Sequence, residues 1–302
     1  MNRRRFLTCF NLILSFCAFN AFGNAANSPP DNSAVPKGWT ITPSMLTPVG
    51  SGASSTSTPG LTYSYKKDVI DDATGRLVEC DSACSGFLTG PYGKITSTGK
   101  IAADPSVNVG DELDLDGLLG IEGIDGAPKD KMKGIYVTGL KGAVEYGQRF
   151  ATKHYTYGLN LLAHLYPGDP KQSSMSNTWP FVVLDWQRVD PATDTVRKAV
   201  DPTLSDYNRA HFGLTTTSDL DKITIRSRPL KFDFAFDHWR EISPSAAIVA
   251  ADLNRQTYRQ FQFRALGTGN DPDYVISYGS GDVPTDQSGA KVIKLGLSYN
   301  FK

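Results

Sequence analysis

The sequence predicts an all-β fold, and three observations carry that prediction. Between Lys291 and Phe301, apolar residues alternate with small or polar ones, which is the period of a strand with one apolar face. Between Leu230 and Asp237, a row with three phenylalanines alternates with a row that holds two aspartates. After residue 25, no segment approaches the length of about 20 apolar residues that a membrane-spanning helix needs.

The phenylalanine row indicates which kind of β fold to expect. In a sandwich one face must meet a dry core, whereas an apolar face opposite a charged face is natural between lipid and a wet lumen. Phe261 and Phe263, opposite Gln262 and Arg264, repeat the pattern. We therefore predict an antiparallel up-and-down transmembrane β-barrel of about 8 to 12 strands. The predicted lipid-facing side chains are Phe232, Phe234, Phe236, Leu295, Leu297 and Tyr299, and the predicted lumen-facing side chains are His164, Asp233 and Asp237.

The last strand pattern resembles the closing strand of a Gram-negative outer-membrane β-barrel. Its apolar face ends in Tyr299 and Phe301, although Lys302 follows where such chains usually stop at the aromatic. The resemblance covers this strand and the strand pattern of residues 132–302, and it involves no family-specific motif. It implies an outer-membrane location, with outer-membrane lipid and the barrel-assembly machinery as partners.

Residues 1–25 have the parts of a cleaved secretory signal peptide. Arg3 to Arg5 precede an apolar run from Phe6 to Phe22, and small residues follow, so we expect cleavage after Gly23 or Ala25. The segment 2–8 also resembles the twin-arginine signature. Twin-arginine export carries folded proteins, whereas barrel strands travel unfolded. A soluble periplasmic β-rich protein therefore stays the alternative, and the barrel is favoured because its pattern recurs over several segments.

The rest of the chain divides by pattern. Residues 26–60 are rich in Ser, Pro and Gly and are predicted to be a flexible lead-in to a barrel of residues 61–302. Residues 61–131 predict irregular strands and loops, and residues 132–302 have the clearest strand pattern, including a hairpin around residues 147–153. Lys222–Trp239 is either one long strand or two strands divided at Pro229. The best helix candidate is Pro244–Leu253.

Two short motifs suggest local chemistry. Cys80 and Cys84 would remain after cleavage, and their spacing permits a small-loop disulfide in an oxidising compartment. Glu112, Asp114 and Asp116 resemble the first half of a calcium loop, but position twelve is Gly123, so a solvated acidic turn is favoured over a calcium site. We expect no cofactor and no other metal site.

Catalytic signals are weak. Among the four histidines, His238 follows Asp237, but strand alternation predicts that those two side chains diverge, and His164 has no serine or acid at a fixed spacing. Motifs of acyl transfer and phosphate binding are absent from the sequence. The enzyme alternative, an outer-membrane lipase or protease, depends on a partner for His164 at the lumen edge.

Charge and composition exclude little. The formal net charge is zero, and no clustered basic face indicates a nucleic-acid partner. The favoured function is a non-catalytic outer-membrane barrel that acts as a small porin-like channel or as a structural or adhesive surface protein.

Overall fold

The computed structural model of the protein describes residues 38–49, 56–71, 86–104, 111–127, 134–165, 178–268, 271–286 and 289–301. The predicted signal peptide at 1–25 and the predicted Cys80–Cys84 disulfide lie outside the described residues.

Twelve antiparallel strands form a closed barrel in which each strand pairs with its sequence neighbours and the first pairs with the last. The strands are β1 (Gly38–Pro48), β2 (Thr58–Asp71), β3 (Gly86–Ala102), β4 (Leu113–Ala127), β5 (Gly134–Tyr146), β6 (Lys153–Leu165), β7 (Thr178–Asp190), β8 (Tyr207–Ile225), β9 (Arg228–Ile242), β10 (Arg255–Ala265), β11 (Asp273–Gly281) and β12 (Lys291–Phe301). The predicted all-β up-and-down barrel is confirmed.

The C-terminal segment closes the barrel, as its alternation predicts. On one side β12 pairs with β1, from Trp39 opposite Phe301 to Pro48 opposite Val292. On the other side it pairs with β11. Closure leaves none of the twelve described strands with an unpaired edge, so their backbone groups are satisfied where water is excluded.

The strand connections lie at two ends of the barrel. The proximal end is where β1 begins and β12 ends. The distal end carries the connections β1–β2, β3–β4, β5–β6, β7–β8, β9–β10 and β11–β12. Two short helices lie in distal connections, α1 (Thr195–Val200) and α2 (Ala246–Ala250). Asp194 caps α1, and Ser245 caps α2 within the predicted helix candidate. Among the described residues no helix has the length and apolar character needed to cross a membrane.

The predicted flexible lead-in is wrong for residues 38–48 and 58–60. Residues 38–48 form β1, and β2 begins at Thr58. The segment is polar because its inward side chains, including Thr40 and Thr42, face the lumen rather than a dry core. Strand pairing on both sides, which is not visible in local composition, orders it. The rest of the predicted lead-in lies outside the described residues.

The prediction of irregular strands within residues 61–131 is also wrong for the described part. β2, β3 and β4 contain 14, 17 and 15 residues. Glycines obscured their alternation. Gly120 and Gly139 lie opposite each other on β4 and β5, and a Cβ on Gly120 would come within 2.6 Å of the Gly139 Cα atom. Only glycine permits this close approach of two strands.

The segment Lys222–Trp239, which the sequence left as one strand or two, belongs to two strands. β8 and β9 are joined by a tight turn with positive φ at Arg226 and Ser227, 50° and 64°. Two-residue hairpins of this kind usually contain Gly or Asn. Neither residue is present, which is why the sequence left the division open.

The two faces of the wall differ in chemistry. Exposed large apolar side chains on the outer face include Leu119, Ile121, Leu140, Leu159, Leu161, Leu184, Trp186, Phe212, Phe261, Phe263, Ile276 and Leu295. Buried polar and charged side chains on the inner face include Thr42, Glu145, His154, Asn160, Asp185, Gln187, Arg209, Glu241, Ser277 and Ser298. The fold is therefore apolar outside and polar inside.

Candidate functional site: the barrel lumen

One wall of the lumen, on β5 to β9, is a compensated ladder of charges. The Asp185 carboxylate accepts a hydrogen bond from Asn160 at 2.5 Å and lies 3.6 Å from the Lys141 ammonium. Its second oxygen lies 3.0 Å from His211 Nδ1, and His211 Nε2 lies 3.0 Å from Asp237 Oδ1. Each strand contributes one member, because the register brings inward positions of neighbouring strands to similar heights.

The three side chains predicted to face the lumen, those of Asp233, Asp237 and His164, make different contacts. Asp233 binds Arg264 of β10 through N–O distances of 2.6 and 3.0 Å, and also accepts a hydrogen bond from Thr217 of β8. Asp237 lies in the charge ladder. His164 packs edge-to-face against Phe181, with ring centroids 5.8 Å apart.

The side chains predicted to face lipid form an aromatic row on the outside of β8 to β10. Ring centroids are 5.0 Å apart for Phe232–Phe263, 5.1 Å for Phe234–Phe261 and 6.1 Å for Phe236–Phe212. On β12, Leu295 is exposed, and Leu297 and Tyr299 are partly exposed. Trp239 of β9 does not belong to this outer row. It shares the inward parity of Asp237 and stacks on His211, with ring centroids 4.9 Å apart.

The opposite wall, on β1–β3 and β10–β12, borders two recesses. We call them together the polar recess. One part is distal and the other proximal, and Thr62, Lys100, Gln260 and Lys294 line both. The proximal part is lined by Thr40, Thr42, Thr62, Ser64, Lys100, Gln260, Gln262, Arg264, Val275, Lys294, Ser298 and Asn300. Hydroxyls, amides and cations therefore dominate this wall.

Lys100 spans the lumen at the distal part of the recess. Its ammonium donates a hydrogen bond of 3.0 Å to the Tyr258 hydroxyl and lies 4.6 Å from the Tyr258 ring centroid. β3 and β10 are five strands apart around the barrel, so this contact crosses the interior. Beyond it, Leu46, Tyr258, Val283 and Val292 form a buried apolar cluster. The distal part of the recess is therefore bordered by a cross-lumen contact and by an apolar cluster.

A tight turn in the β11–β12 connection crosses the distal mouth. We call residues 282–286 the strap. Val283 belongs to the apolar cluster on one side of the barrel. On the other side the Thr285 hydroxyl donates to the Asp111 carboxylate, and the Thr285 carbonyl approaches Gly147 so closely that a Cβ there would lie 2.5 Å away. The strap therefore joins two sides of the distal end.

A second distal closure is the buried network that holds α1. The guanidinium of Arg197 binds Glu241, donates to the Leu253 carbonyl at 2.6 Å and stacks on Tyr207. Asp194 accepts from the Arg197 backbone N–H at 3.0 Å and lies 3.0 Å from His154 Nε2.

The same network continues inward through Arg209, which is 1% exposed. It makes a two-pronged contact with Glu145 and donates through Nε to Gln187 at 3.0 Å. The β7–β8 connection is therefore fixed over part of the distal mouth.

Two acids outside the membrane-spanning strands, Asp111 and Asp194, have pKa values that differ from the ordinary value of an aspartate. Burial, together with the nearby Glu145 carboxylate, raises the pKa of Asp111 to about 7, although the Thr285 hydroxyl opposes the change. Burial also acts to raise the pKa of Asp194, but hydrogen bonds from His154 and from the Arg197 N–H hold that pKa below its usual range.

The histidine environments bear on the enzyme alternative. A base that activates a serine needs one ring nitrogen directed at the serine hydroxyl. Carboxylates lie 3.0 Å from both ring nitrogens of His211. His154 lies between Asp194 and Glu145, at 3.0 and 3.6 Å. These two histidines act as structural bridges between acids.

The calcium alternative is not supported by the arrangement of its residues. Glu112 accepts the backbone N–H of Phe150 at 2.9 Å, and Asp114 and Asp116 lie within β4, paired opposite Glu145 and Ala143. The favoured acidic turn is therefore wrong as well, because the segment is strand. Within the described ranges no three His, Cys, Asp or Glu side chains come together as a metal site.

Sequence reasoning missed Lys294, Lys100, Glu145, Arg209 and the helix α1. Lys294 and Glu145 did carry a signal, because each occupies the polar face of a strand whose other face is apolar. Asp194 before Thr195 was a usable helix-start signal. The cross-lumen partners had none, because their sequence separations reach 158 residues for Lys100–Tyr258.

No family model matches the chain, and no curated protein does. Among solved structures, the chain is similar to the NanC porin, with a TM-score of 0.42, 10% identity, and coverage of 86% of this chain and 100% of that chain. It is also similar to Salmonella typhi OmpF in complex with daunomycin, with a TM-score of 0.36, 7% identity and coverage of 87% and 96%. For OccK11 of Pseudomonas aeruginosa the values are 0.30, 10%, 86% and 94%.

The class of the protein follows from its own geometry. A soluble protein, the twin-arginine alternative, rarely exposes a contiguous apolar surface as large as the outer face of this barrel. A closed sheet that is apolar outside and polar inside is the solution that β-structure has for crossing a bilayer. The chain is a transmembrane β-barrel.

Proposed function

We propose that the protein is a porin-like channel for small polar solutes. The observation that supports the proposal is the polar recess, whose two parts share four lining residues and follow the wall of β1–β3 and β10–β12. Hydroxyl and amide side chains on this wall can replace the water lost by a polar solute.

In the proposed channel, the strap is the gate. It crosses the distal mouth above the recess, and its contacts include the packing of Val283, the hydrogen bond from Thr285 and a backbone hydrogen bond of 2.9 Å from Asp282 to Thr257. The buried network around Arg197 and Arg209 is far more extensive and fixes the β7–β8 connection. The strap is therefore the easier of the two closures to move.

The test is conductance of the purified barrel in planar lipid bilayers, with liposome swelling by neutral sugars as a second readout. A double variant, Val283→Ala with Thr285→Ala, removes two side-chain contacts that hold the strap and is expected to raise the fraction of time that the channel spends open. Ser280→Ala, on the outward face of β11 in the same hairpin, is the matched control and is expected to behave as wild type. Silence of both the wild type and the double variant would contradict the channel.

A structural or adhesive surface role is the second candidate. The observation that favours it is the order of the distal connections, which contain two capped helices and a hydrogen-bonded turn. A folded barrel that is silent in bilayers even after the strap contacts are removed is the result this role predicts.

A further inference from the structure

The two parts of the polar recess contain no acidic side chain in their lining. Acids lie elsewhere in the lumen, at Asp114, Asp116, Asp185, Asp233 and Asp237 on β4 to β9, and at Asp273 on β11, whose carboxylate lies 3.9 Å from Arg264. The charged side chains in the lining itself are the cations Lys100, Arg264 and Lys294. A solute in the recess meets cations together with neutral donors and acceptors.

Lys294 is the cation on which the inference depends. Its ammonium lies 3.4 Å from the Thr62 hydroxyl, and no carboxylate of the described residues forms an ion pair with it. Two other lumen cations differ from Lys294. Lys231 lies 2.9 Å from Asp219, and Arg264 lies 2.6 Å from Asp233, so those charges are neutralised locally.

An ammonium without a carboxylate partner, inside a narrow tube with low-dielectric walls, creates a positive potential along the recess. Charged side chains at a constriction select permeating ions by this means. The surrounding hydroxyls and amides of Thr62, Ser298, Gln260 and Asn300 provide donors and acceptors suited to a solute with several hydroxyl groups.

We propose that the polar recess binds and passes small hydroxylated organic anions, in which a carboxylate or phosphate group lies beside several hydroxyls, and that Lys294 determines the preference for anions. The anionic group is held at Lys294, and the hydroxyls contact the neutral side chains of β1, β2, β10 and β12. This inference rests on the proposed channel function and adds the class of solute to it.

The test compares liposome swelling by gluconate and glucose 6-phosphate with swelling by glucose and glucosamine. We expect both anions to enter faster than glucosamine through the wild-type barrel. The Lys294→Gln variant is expected to lower the anion-to-glucosamine ratio by about tenfold. Lys294→Arg is expected to retain it. Lys291→Gln removes the same charge from an exposed position on the same strand and is the matched control.

The outcomes separate the inference from the channel function. Equal entry of anions and glucosamine, or a ratio unchanged by Lys294→Gln, would overturn the inference while leaving the channel intact. Faster entry of gluconate alone or of glucose 6-phosphate alone would narrow the anion to a carboxylate or a phosphate. Swelling by no solute would overturn the channel. In that case, gluconate binding to the purified barrel in detergent tests the anion site independently of transport. Absence of gluconate binding by the wild type would overturn the proposed anion site as well.

Discussion

Arg209 carries its charge into the interior of the distal network, where water cannot stabilise it. Its guanidinium depends on Glu145 and Gln187, which lie three strands and one strand away around the barrel. Removing one partner of a buried pair leaves the other charge without compensation, and this costs more than the pair contributes.

Glu145→Gln is therefore expected to lower the free energy of unfolding by about 3 to 5 kcal/mol. The measurement is the urea unfolding midpoint in lipid vesicles. Asp206→Asn is the matched control, because Asp206 pairs with Arg188 at 3.9 Å on the exposed surface, where loss of the pair costs about 0 to 1 kcal/mol. Equal losses in the two variants would show that the buried network does not stabilise the barrel.

Asp111 makes the free energy of unfolding depend on pH. Because its pKa rises to about 7 in the folded state from about 3.9 in an unfolded chain, the folded state binds more protons between those values. The stabilisation from this proton is complete below about pH 4 and is lost as the pH rises to about 7.

In Asp111→Asn, the fall in unfolding midpoint between pH 4 and pH 7 is expected to become smaller than in the wild type. Urea titrations of both proteins across this range measure the difference. Parallel pH profiles for the two proteins would contradict the raised pKa.

At the scale of elements, β12 is the strand on which closure depends. It pairs with β1 along eight registered positions and with β11 along a further eight. Without it, β1 and β11 would each present an unpaired edge to lipid, where each unsatisfied backbone group costs several kcal/mol.

Deletion of residues 291–302 is therefore expected to abolish insertion into the outer membrane. Heat-modifiable gel migration of membrane fractions measures the folded barrel. Deletion of Lys302 alone is the control and is expected to leave insertion unchanged. Wild-type amounts of inserted barrel after the longer deletion would mean that β12 does not close the sheet.

At the scale of the whole molecule, lipid lies on one side of the barrel wall and water on the other. This predicts which side chains chemical reagents can reach from each side. Phe232 and Phe234 pack in the outer aromatic row, whereas Asp233 and the neighbouring position 235 share the inward parity. Adjacent positions on one strand should therefore meet lipid and water in turn.

Single cysteines at 232, 233, 234 and 235, labelled in intact outer membranes, check this. A lipid-soluble maleimide is expected to react preferentially at 232 and 234, and a water-soluble maleimide at 233 and 235. Equal aqueous labelling at all four positions would show that β9 does not border lipid.

The sequence by itself determined the all-β class, the closing role of Lys291–Phe301 and the hairpin around residues 147–153. These depend on alternation with a period of two, which is a local property that each strand carries in its own residues. It failed where glycines interrupt alternation, as at Gly120, and where a polar segment such as β1 owes its order to pairing with distant strands.

The tertiary structure decided which inward residues meet. Alternation assigns a side chain to a face, but its height and its partners depend on strand register and on the tilt of strands in the closed barrel, which involve the whole chain at once. Lys100 meets Tyr258 across the lumen, and Thr285 reaches Asp111 from 174 residues away. The polar recess, the strap and the distal network consist of such contacts, so the strand pattern could predict a wet lumen but not the arrangement of charges inside it.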